Sequence, residues 1–173
     1  MPQLLLLRHA KSSWDDPKLP DHTRPLNARG KYAAANVGRV LRHMQLNPDR
    51  VLVSSARRTL QTLEQLEPWE ATPRVEVLDA LYLAPARGIL DLLQHVPPAT
   101  ERLLVVGHNP GLHELGLLLT DTEEGLEQQK LHEGFPTAAL AWFTFHTPWA
   151  ELREGHATLT RFLVPTDVAE PGL

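Results

Sequence analysis

The sequence predicts an α/β protein, a three-layer α/β/α sandwich with a mostly parallel central sheet. Short apolar runs of the kind buried in parallel sheets alternate with helical patterns along most of the chain. The pattern changes near the end to strands without helices between them, which is typical of antiparallel additions to a sheet edge. A length of 173 residues suits one domain, 1–173, which buries roughly 70% of its unfolded surface.

The parallel part of the sheet is predicted from four short apolar runs, which are Gln3–Leu7, Val51–Ser54, Val75–Leu78 and Leu103–Val106. Apolar residues at helical spacing predict helices at Asn27–His43, Arg57–Leu66, Pro85–His95 and Pro110–Leu119. Asn27 is a residue type suited to an N-cap, and the first helix should stop before Asn47-Pro48.

The chain after Thr120 follows a different pattern. Asp121–Lys130 is acidic and polar, and we expect a loop or an exposed helical excursion there. Ala138–Phe145 and Thr158–Val164 are predicted strands, joined by a turn around Pro148–Gly155. The tail, Asp167–Leu173, is expected to be loose.

Composition excludes several classes of function. The absence of Cys excludes thiolate catalysis, Cys-ligated zinc and iron–sulfur clusters, and it is compatible with a reducing cytoplasm. The run Leu4–Leu7 is too short for a membrane span and lacks the flanks of a signal peptide. A formal charge of −4 gives no general attraction to nucleic acid or anionic lipid. We therefore expect a soluble cytoplasmic protein without nucleic-acid or membrane partners.

Three of the predicted strands are followed by turns that carry cationic or imidazole side chains. Arg8 and His9 follow the first strand, Arg57 and Arg58 follow the second, and His108 follows the fourth. The carboxyl ends of parallel strands meet at one edge of a sheet, where such sheets bind ligands. Guanidinium groups beside histidines suit an anion that histidine can attack, and a phosphoryl group fits best.

The chemistry of His9 follows from its neighbour and its place at the rim of the sheet. A guanidinium beside the ring disfavours imidazolium and keeps the ring neutral and nucleophilic near pH 7. A metal site on His108 and His113 is disfavoured, because the Pro110 turn intervenes and no carboxylate cluster is evident. No metal or cofactor is expected.

Three motifs in this order and spacing resemble the signatures of the histidine phosphatase superfamily, namely Leu7–Ser12, Ser54–Thr62 and Gly107–Gly111. Within it the chain resembles the small SixA-type phosphohistidine phosphatases, with a phosphoglycerate mutase-like fold. The likeness runs from Gln3 to about Pro165. Ala10 stands where the superfamily commonly has Gly, a departure that SixA-like members share.

The resemblance implies a role for each central residue. It implies that His9 attacks phosphorus in line and is transiently phosphorylated, while Arg8, Arg58 and His108 hold the equatorial oxygens. Water then releases phosphate. The family pattern, counted back from Gln61-Thr62, selects Arg58, and Arg57 is expected to be exposed or salt-bridged.

The sequence offers only candidates for the residues at the rim of the site and for a proton donor. Lys11 and Arg24 could extend the positive rim, and Ser12 could bind phosphate. Larger members that act on phosphoesters usually have a carboxylate acid after the third strand, where Asp79 is the only candidate here. Its position between strand and turn favours a capping or exposed role. Without an acid, phosphohistidine is the favoured substrate. Its leaving group is imidazole, which is readily protonated near its own pKa of about 6.5.

The sequence therefore predicts a metal-independent phosphatase in signal transduction, acting on phosphohistidine. Its partner would be a phosphorylated protein, such as a histidine-phosphotransfer domain, or a small phosphorylated substrate. Two alternatives remain open. One is a phosphatase or mutase for a small phosphoester. The other is a phospho-dependent binding module, which would not need a nucleophile such as His9 beside Arg8.

Overall fold

A six-stranded sheet forms the centre of the computed structural model, which describes residues 1–165. The strands in chain order are β1 Gln3–Arg8, β2 Arg50–Ser54, β3 Arg74–Leu78, β4 Arg102–Gly107, β5 Leu140–Thr144 and β6 Thr158–Leu163. Their order across the sheet is β3-β2-β4-β1-β5-β6. The tail that the sequence predicts to be loose, 167–173, lies outside the described residues.

The strand directions bring the three motif turns to one edge of the sheet. β3, β2, β4 and β1 run parallel to one another, whereas β5 and β6 are antiparallel additions. In the register of β1 and β4, Arg8 lies opposite Gly107. The residues that follow these strands therefore begin side by side, and the predicted fold class is confirmed.

Helices lie close to where apolar periodicity predicts them. The α-helices of the described residues are α1 Ala28–His43, α2 Arg57–Gln65, α3 Ala86–Gln94, α4 Gly111–Leu119 and α5 Leu126–Glu133. Short 3-10 helices occupy Asp21–Thr23, Asp79–Leu81 and Trp149–Glu151. Asn27 is the N-cap of α1, because its side chain accepts a hydrogen bond from the Gly30 N–H at 2.7 Å. The sequence predicts a loop or an exposed helix within Asp121–Lys130, and the structure has a helix from Leu126 onward.

Two hydrophobic cores, one on each face of the sheet, make the three layers. Successive side chains of a strand point to opposite faces, and β1 divides accordingly. Leu4 and Leu6 pack in one core with α3 and α4, whereas Leu5 and Leu7 pack in the other with α1. All four are fully buried, and each contributes about 1.5–3 kcal/mol to stability. This buried strand is a rigid support for the residues that follow it.

The prediction that Val75–Leu78 is a buried strand is wrong in one respect. The strand exists, but it is one of the two edge strands of the sheet. Val75 and Val77 are 45% and 54% exposed. The apolar run alone does not distinguish a central strand from an edge strand, because both can be equally rich in valine.

Candidate active site

His9 follows β1 directly and its ring is buried, with 7% of the residue exposed. The ring Nδ1 lies 2.7 Å from the carbonyl oxygen of Ala10. A carbonyl oxygen only accepts hydrogen bonds, so Nδ1 carries the proton and Nε2 keeps its lone pair. The local backbone thus selects the tautomer in which Nε2 is a nucleophile.

Burial and two guanidinium groups keep this ring neutral. Burial is the largest cause, and the charges of Arg58 and Arg8 add to it, lowering the pKa of His9 to about 4. The Ala10 carbonyl and the Asp21 carboxylate act in the opposite direction but do not cancel the shift. The ring is therefore neutral at neutral pH, with its one proton on Nδ1, as its position beside Arg8 predicts.

Arg58 lies in the first turn of α2 and is 5% exposed, whereas the adjacent Arg57 is exposed. Thr62 ties this turn to the end of β1. Its hydroxyl donates to the Arg58 carbonyl at 2.7 Å and accepts from the Ala10 N–H at 3.0 Å. The predicted difference between the two arginines in exposure agrees with the structure, and it leaves Arg58 facing the histidines.

His108 follows β4 and is 2% exposed. Its ring centroid is 5.4 Å from that of His9. Its Nδ1 lies 3.3 Å from Arg58 Nη2, and its Nε2 lies 2.7 Å from the Ser54 hydroxyl oxygen. Burial first, then the charge of Arg58, lowers the pKa of His108 to about 3. Both rings of the pair are therefore neutral at pH 7.

The Ser54 hydroxyl gives His108 a choice of tautomer. A guanidinium only donates hydrogen bonds, so Nδ1 of His108 accepts from Arg58. In that tautomer Nε2 carries the proton and donates to the Ser54 hydroxyl oxygen. A hydroxyl can also donate to Nε2, which would place the proton on Nδ1, facing Arg58. The Ser54 contact is therefore compatible with either tautomer of His108.

Arg8 completes the cluster from the end of β1. Its Nη1 donates to the Phe135 carbonyl at 3.1 Å, and the Asn109 amide donates to the same carbonyl at 2.7 Å. Its Nε is buried and has no hydrogen-bond partner within residues 1–165. Burial, and secondarily the charge of Arg58, lowers the pKa of Arg8, although a guanidinium remains charged at neutral pH.

Sequence reasoning missed Asp21, which contacts the centre of this cluster. Its carboxylate Oδ2 lies 3.0 Å from Arg58 Nη2, and its backbone carbonyl accepts from Arg58 Nη1 at 2.8 Å. The Tyr82 hydroxyl donates to the same carboxylate oxygen at 2.5 Å. These hydrogen bonds, Tyr82 first and Arg58 next, lower the pKa of Asp21 against the opposing effect of burial. No periodicity marks Asp21, because it lies in a 3-10 helix of only three residues between β1 and α1.

Arg24, which the sequence predicts at the rim, makes its hydrogen bonds within its own loop. Arg24 is 4% exposed, and its guanidinium donates to the carbonyl oxygens of Ser13, Asp16 and Leu19. It therefore braces its own loop, and its hydrogen bonds do not extend to the histidines. This arrangement weighs against the predicted rim role of Arg24.

The side chains of Lys11, Ser12 and Asp79 form no hydrogen bond or ion pair with His9, Arg8, Arg58 or His108. Lys11 is exposed, and Ser12 forms an isolated antiparallel bridge with Leu26. Asp79 is exposed in its 3-10 helix, and its carboxylate accepts no hydrogen bond from any residue in 1–165. The rim roles of Lys11 and Ser12 remain predictions.

Residues 1–165 contain neither a membrane-spanning helix nor a cluster of metal-binding side chains. Within residues 1–165, no helix combines the length and the apolar character that crossing a membrane requires. The same residues hold no group of three or more His, Asp or Glu side chains placed to bind a metal ion. His113 instead directs its Nε2 to the Leu131 carbonyl at 2.7 Å.

We expect the two site histidines to stay neutral far below the usual range. In a histidine-resolved NMR titration, the ring signals of His9 and His108 should keep their neutral positions from pH 8 to pH 5, because their pKa values are lowered to about 4 and about 3. Their signals can be assigned among the nine histidines with His9→Gln and His108→Gln variants. Titration of either ring near the ordinary value of about 6.5 would contradict the burial argument.

Comparisons with known proteins identify the family of this chain. A model of the histidine phosphatase superfamily (branch 1) matches residues 4–82, which include His9 and Arg58. An uncharacterized protein of Mycobacterium tuberculosis is 34% identical over 161 residues, covering 92% of this chain and 99% of that protein.

Solved structures give the same result. A SixA protein from Nakamurella multipartitia, whose phosphohistidine phosphatase activity is itself inferred, is 29% identical with a TM-score of 0.83, covering 95% of this chain and 96% of that one. The protein histidine phosphatase SixA complexed with tungstate, 24% identical, shares the fold with a TM-score of 0.79 over 96% of this chain and 99% of that one. These relationships support phosphatase activity, and they confirm the resemblance seen in the motifs. The chain belongs to the histidine phosphatase superfamily.

Proposed function

We propose that this protein is a metal-independent phosphatase that removes phosphate from phosphohistidine on another protein, through a transient phosphohistidine on its own His9. One observation carries the proposal. The buried, neutral ring of His9 presents an unprotonated Nε2 beside Arg8, Arg58 and His108. Such a set of groups is a nucleophile within a positively charged site for an anion.

In the first step, Nε2 of His9 attacks phosphorus in line, and the bond to the leaving atom breaks as the new P–N bond forms. The transition state spreads negative charge over three equatorial oxygens, and fixed cationic donors stabilise that charge. Arg8 and Arg58 would supply these donors. The buried Nε of Arg8, which has no partner in residues 1–165, is suited to one of these oxygens, because a buried unpaired donor costs about 1–3 kcal/mol.

In the second step, water attacks the phosphorus on His9, the P–Nε2 bond breaks, and inorganic phosphate leaves with the original neutral ring restored. His108 would donate from Nδ1 to a phosphoryl oxygen in both steps, using the tautomer in which Ser54 donates to Nε2. Two guanidinium groups would supply the positive charge that phosphoryl transfer chiefly requires from a protein.

Two observations favour phosphohistidine as the substrate. The structural likeness to the Nakamurella SixA protein at 29% identity extends over 95% of this chain. In addition, the carboxylate at the cluster, Asp21, has a lowered pKa and is ionised at neutral pH, so it holds no proton to donate. Expelling an alkoxide needs such a proton, whereas imidazole leaves readily. A phosphorylated protein, such as a histidine-phosphotransfer domain, would be the partner.

A substrate panel tests this proposal. We expect kcat/KM on a phosphohistidine-bearing protein and on aryl phosphates to exceed that on sugar or glycerate phosphates by about 10²–10⁴, the rate that a missing general acid costs. A simple alkyl phosphate hydrolysed as efficiently as phosphohistidine would replace our proposal with a small-phosphoester phosphatase.

Metal independence is a separate prediction. Turnover of an aryl phosphate should be unchanged in EDTA, and vanadate or tungstate should inhibit it, because Arg8 and Arg58 supply the positive charge at the site. Steady-state assays with and without EDTA, followed by titration with each oxyanion, measure both effects. Loss of activity in EDTA that a divalent ion restores would refute the scheme.

A further inference from the structure

We propose that Asp21 and Tyr82 form the subsite for the departing imidazole, where the Asp21 carboxylate accepts a hydrogen bond from the N–H of a protonated phosphohistidine ring. The inference rests on the proposed function and deepens it, because it names the group that recognises the substrate's leaving side. It makes Asp21 a determinant of specificity for N-phosphates over O-phosphates.

The position of Asp21 is fixed by the group that would hold the phosphoryl oxygens. The Arg58 guanidinium binds both its carboxylate Oδ2 and its backbone carbonyl. The side chain of Arg58 is 6% exposed and that of Asp21 is 52% exposed. The carboxylate therefore lies on the solvent side of the buried guanidinium, from which a substrate must approach.

One oxygen of this carboxylate is available for a ligand. Oδ2 accepts the hydrogen bonds from both Arg58 and Tyr82. Oδ1 accepts none from any residue in 1–165. A carboxylate can accept several hydrogen bonds, so Asp21 can bind an N–H donor at Oδ1 without giving up its contacts to the protein.

Aromatic rings stand beside the carboxylate. The Tyr82 ring lies edge-on to His108, with centroids 5.4 Å apart, and edge-on to His22, with centroids 4.8 Å apart. His22 is itself held by a 2.9 Å hydrogen bond between its Nε2 and the Ser55 hydroxyl. A planar imidazole would thus meet an aromatic surface next to a charged acceptor, a combination that suits a cationic ring.

The charge of Asp21 decides which leaving group it favours. Tyr82 and Arg58 keep the pKa of its carboxyl below the usual value, so the group is anionic at neutral pH. An anion attracts an imidazolium and gives no help to a departing alkoxide. With a proton already on its distal nitrogen, the phosphohistidine ring keeps the electron pair of the breaking P–N bond and leaves as neutral imidazole, while Nε2 of His9 takes the phosphoryl group.

The experiment compares wild type with Asp21→Asn on two substrates, a phosphohistidine-bearing protein and p-nitrophenyl phosphate. Asparagine keeps an oxygen that can accept from Arg58 and Tyr82, but it loses the charge. We expect kcat/KM on phosphohistidine to fall about 10- to 100-fold, the usual effect of losing a hydrogen bond to a charged group. On p-nitrophenyl phosphate the fall should be smaller by about 10-fold or more, because that substrate has no leaving-group N–H for the carboxylate to accept. Asp79→Asn, a matched change at an exposed aspartate, should alter neither.

Other results would overturn the proposal in distinguishable ways. Equal losses of kcat/KM on both substrates would mean that Asp21 acts only by holding Arg58. Unchanged kcat/KM on both would mean that Asp21 does not recognise the substrate. A wild type inactive on the phosphohistidine protein would overturn the proposed function as well. If Asp21→Asn does not fold, Asp21→Glu and Asp21→Gln carry the test, because they match in length and differ in charge. The Glu variant should then retain the preference for phosphohistidine that the Gln variant loses.

Discussion

His9→Ala is expected to lower turnover of every substrate by at least about 10⁴-fold, the order of loss seen when a nucleophile is removed from an enzyme that uses covalent catalysis. The variant deletes the covalent route through His9, and the other neutral ring at the site, His108, has its two nitrogens against Arg58 and Ser54. The fold should persist, since the ring's one side-chain hydrogen bond is to the neighbouring Ala10 carbonyl, and the leucines of β1 are untouched. Steady-state assays and circular dichroism measure the two effects.

Binding and labelling separate the loss of chemistry from the loss of the site. His9→Ala should still bind tungstate, because Arg8, Arg58 and His108 remain. Rapid quenching of wild type in alkali, where phosphohistidine survives, should place the transient phosphate on His9. Phosphate found on His108 instead would reverse the roles of the two histidines.

The sequence was sufficient to predict most of the sheet and the proximity of His9, Arg58 and His108. Runs such as Leu4–Leu7 are too apolar to lie anywhere but in the core, and a parallel sheet brings the ends of its strands to one edge. The approach of His9, Arg58 and His108 follows from that topology alone. The apolar run does not show whether a strand lies at the centre or at the edge of the sheet. For this reason the sequence predicts Val75 and Val77 to be buried, whereas the structure shows them exposed.

The residues between β1 and α1 could not be placed from the sequence. This segment has no periodicity, and its structure depends on contacts to distant residues. Asp21 meets Arg58, 37 positions later in the chain, and Tyr82, 61 positions later. Arg24 was expected at the rim because it is cationic. It instead satisfies three carbonyl oxygens of an irregular loop, since buried carbonyl groups outside helices and strands need donors from side chains.

The second large effect is expected from Arg58→Ala, which should lower kcat/KM by about 10²–10³, the usual loss when one donor to the transition-state oxygens is removed. The variant removes a hydrogen-bond donor from three groups at once, namely the phosphoryl oxygens, the Asp21 carboxylate and Nδ1 of His108. Loss of the cation would also weaken the binding of tungstate. Arg58→Lys should recover little, because a single ammonium does not reproduce the fork that reaches both Asp21 and His108.

Arg57→Ala is the matched control, because the two arginines are adjacent in the first turn of α2 and have the same chemistry. Arg57 is exposed, whereas Arg58 is 5% exposed and contacts the cluster. We therefore expect Arg57→Ala to keep kcat/KM within about 3-fold of wild type, as surface substitutions usually do. The same kinetic assay and tungstate titration serve both variants. Equal defects at the two positions would show that the positive charge of the helix terminus matters and that the position of the Arg58 guanidinium does not.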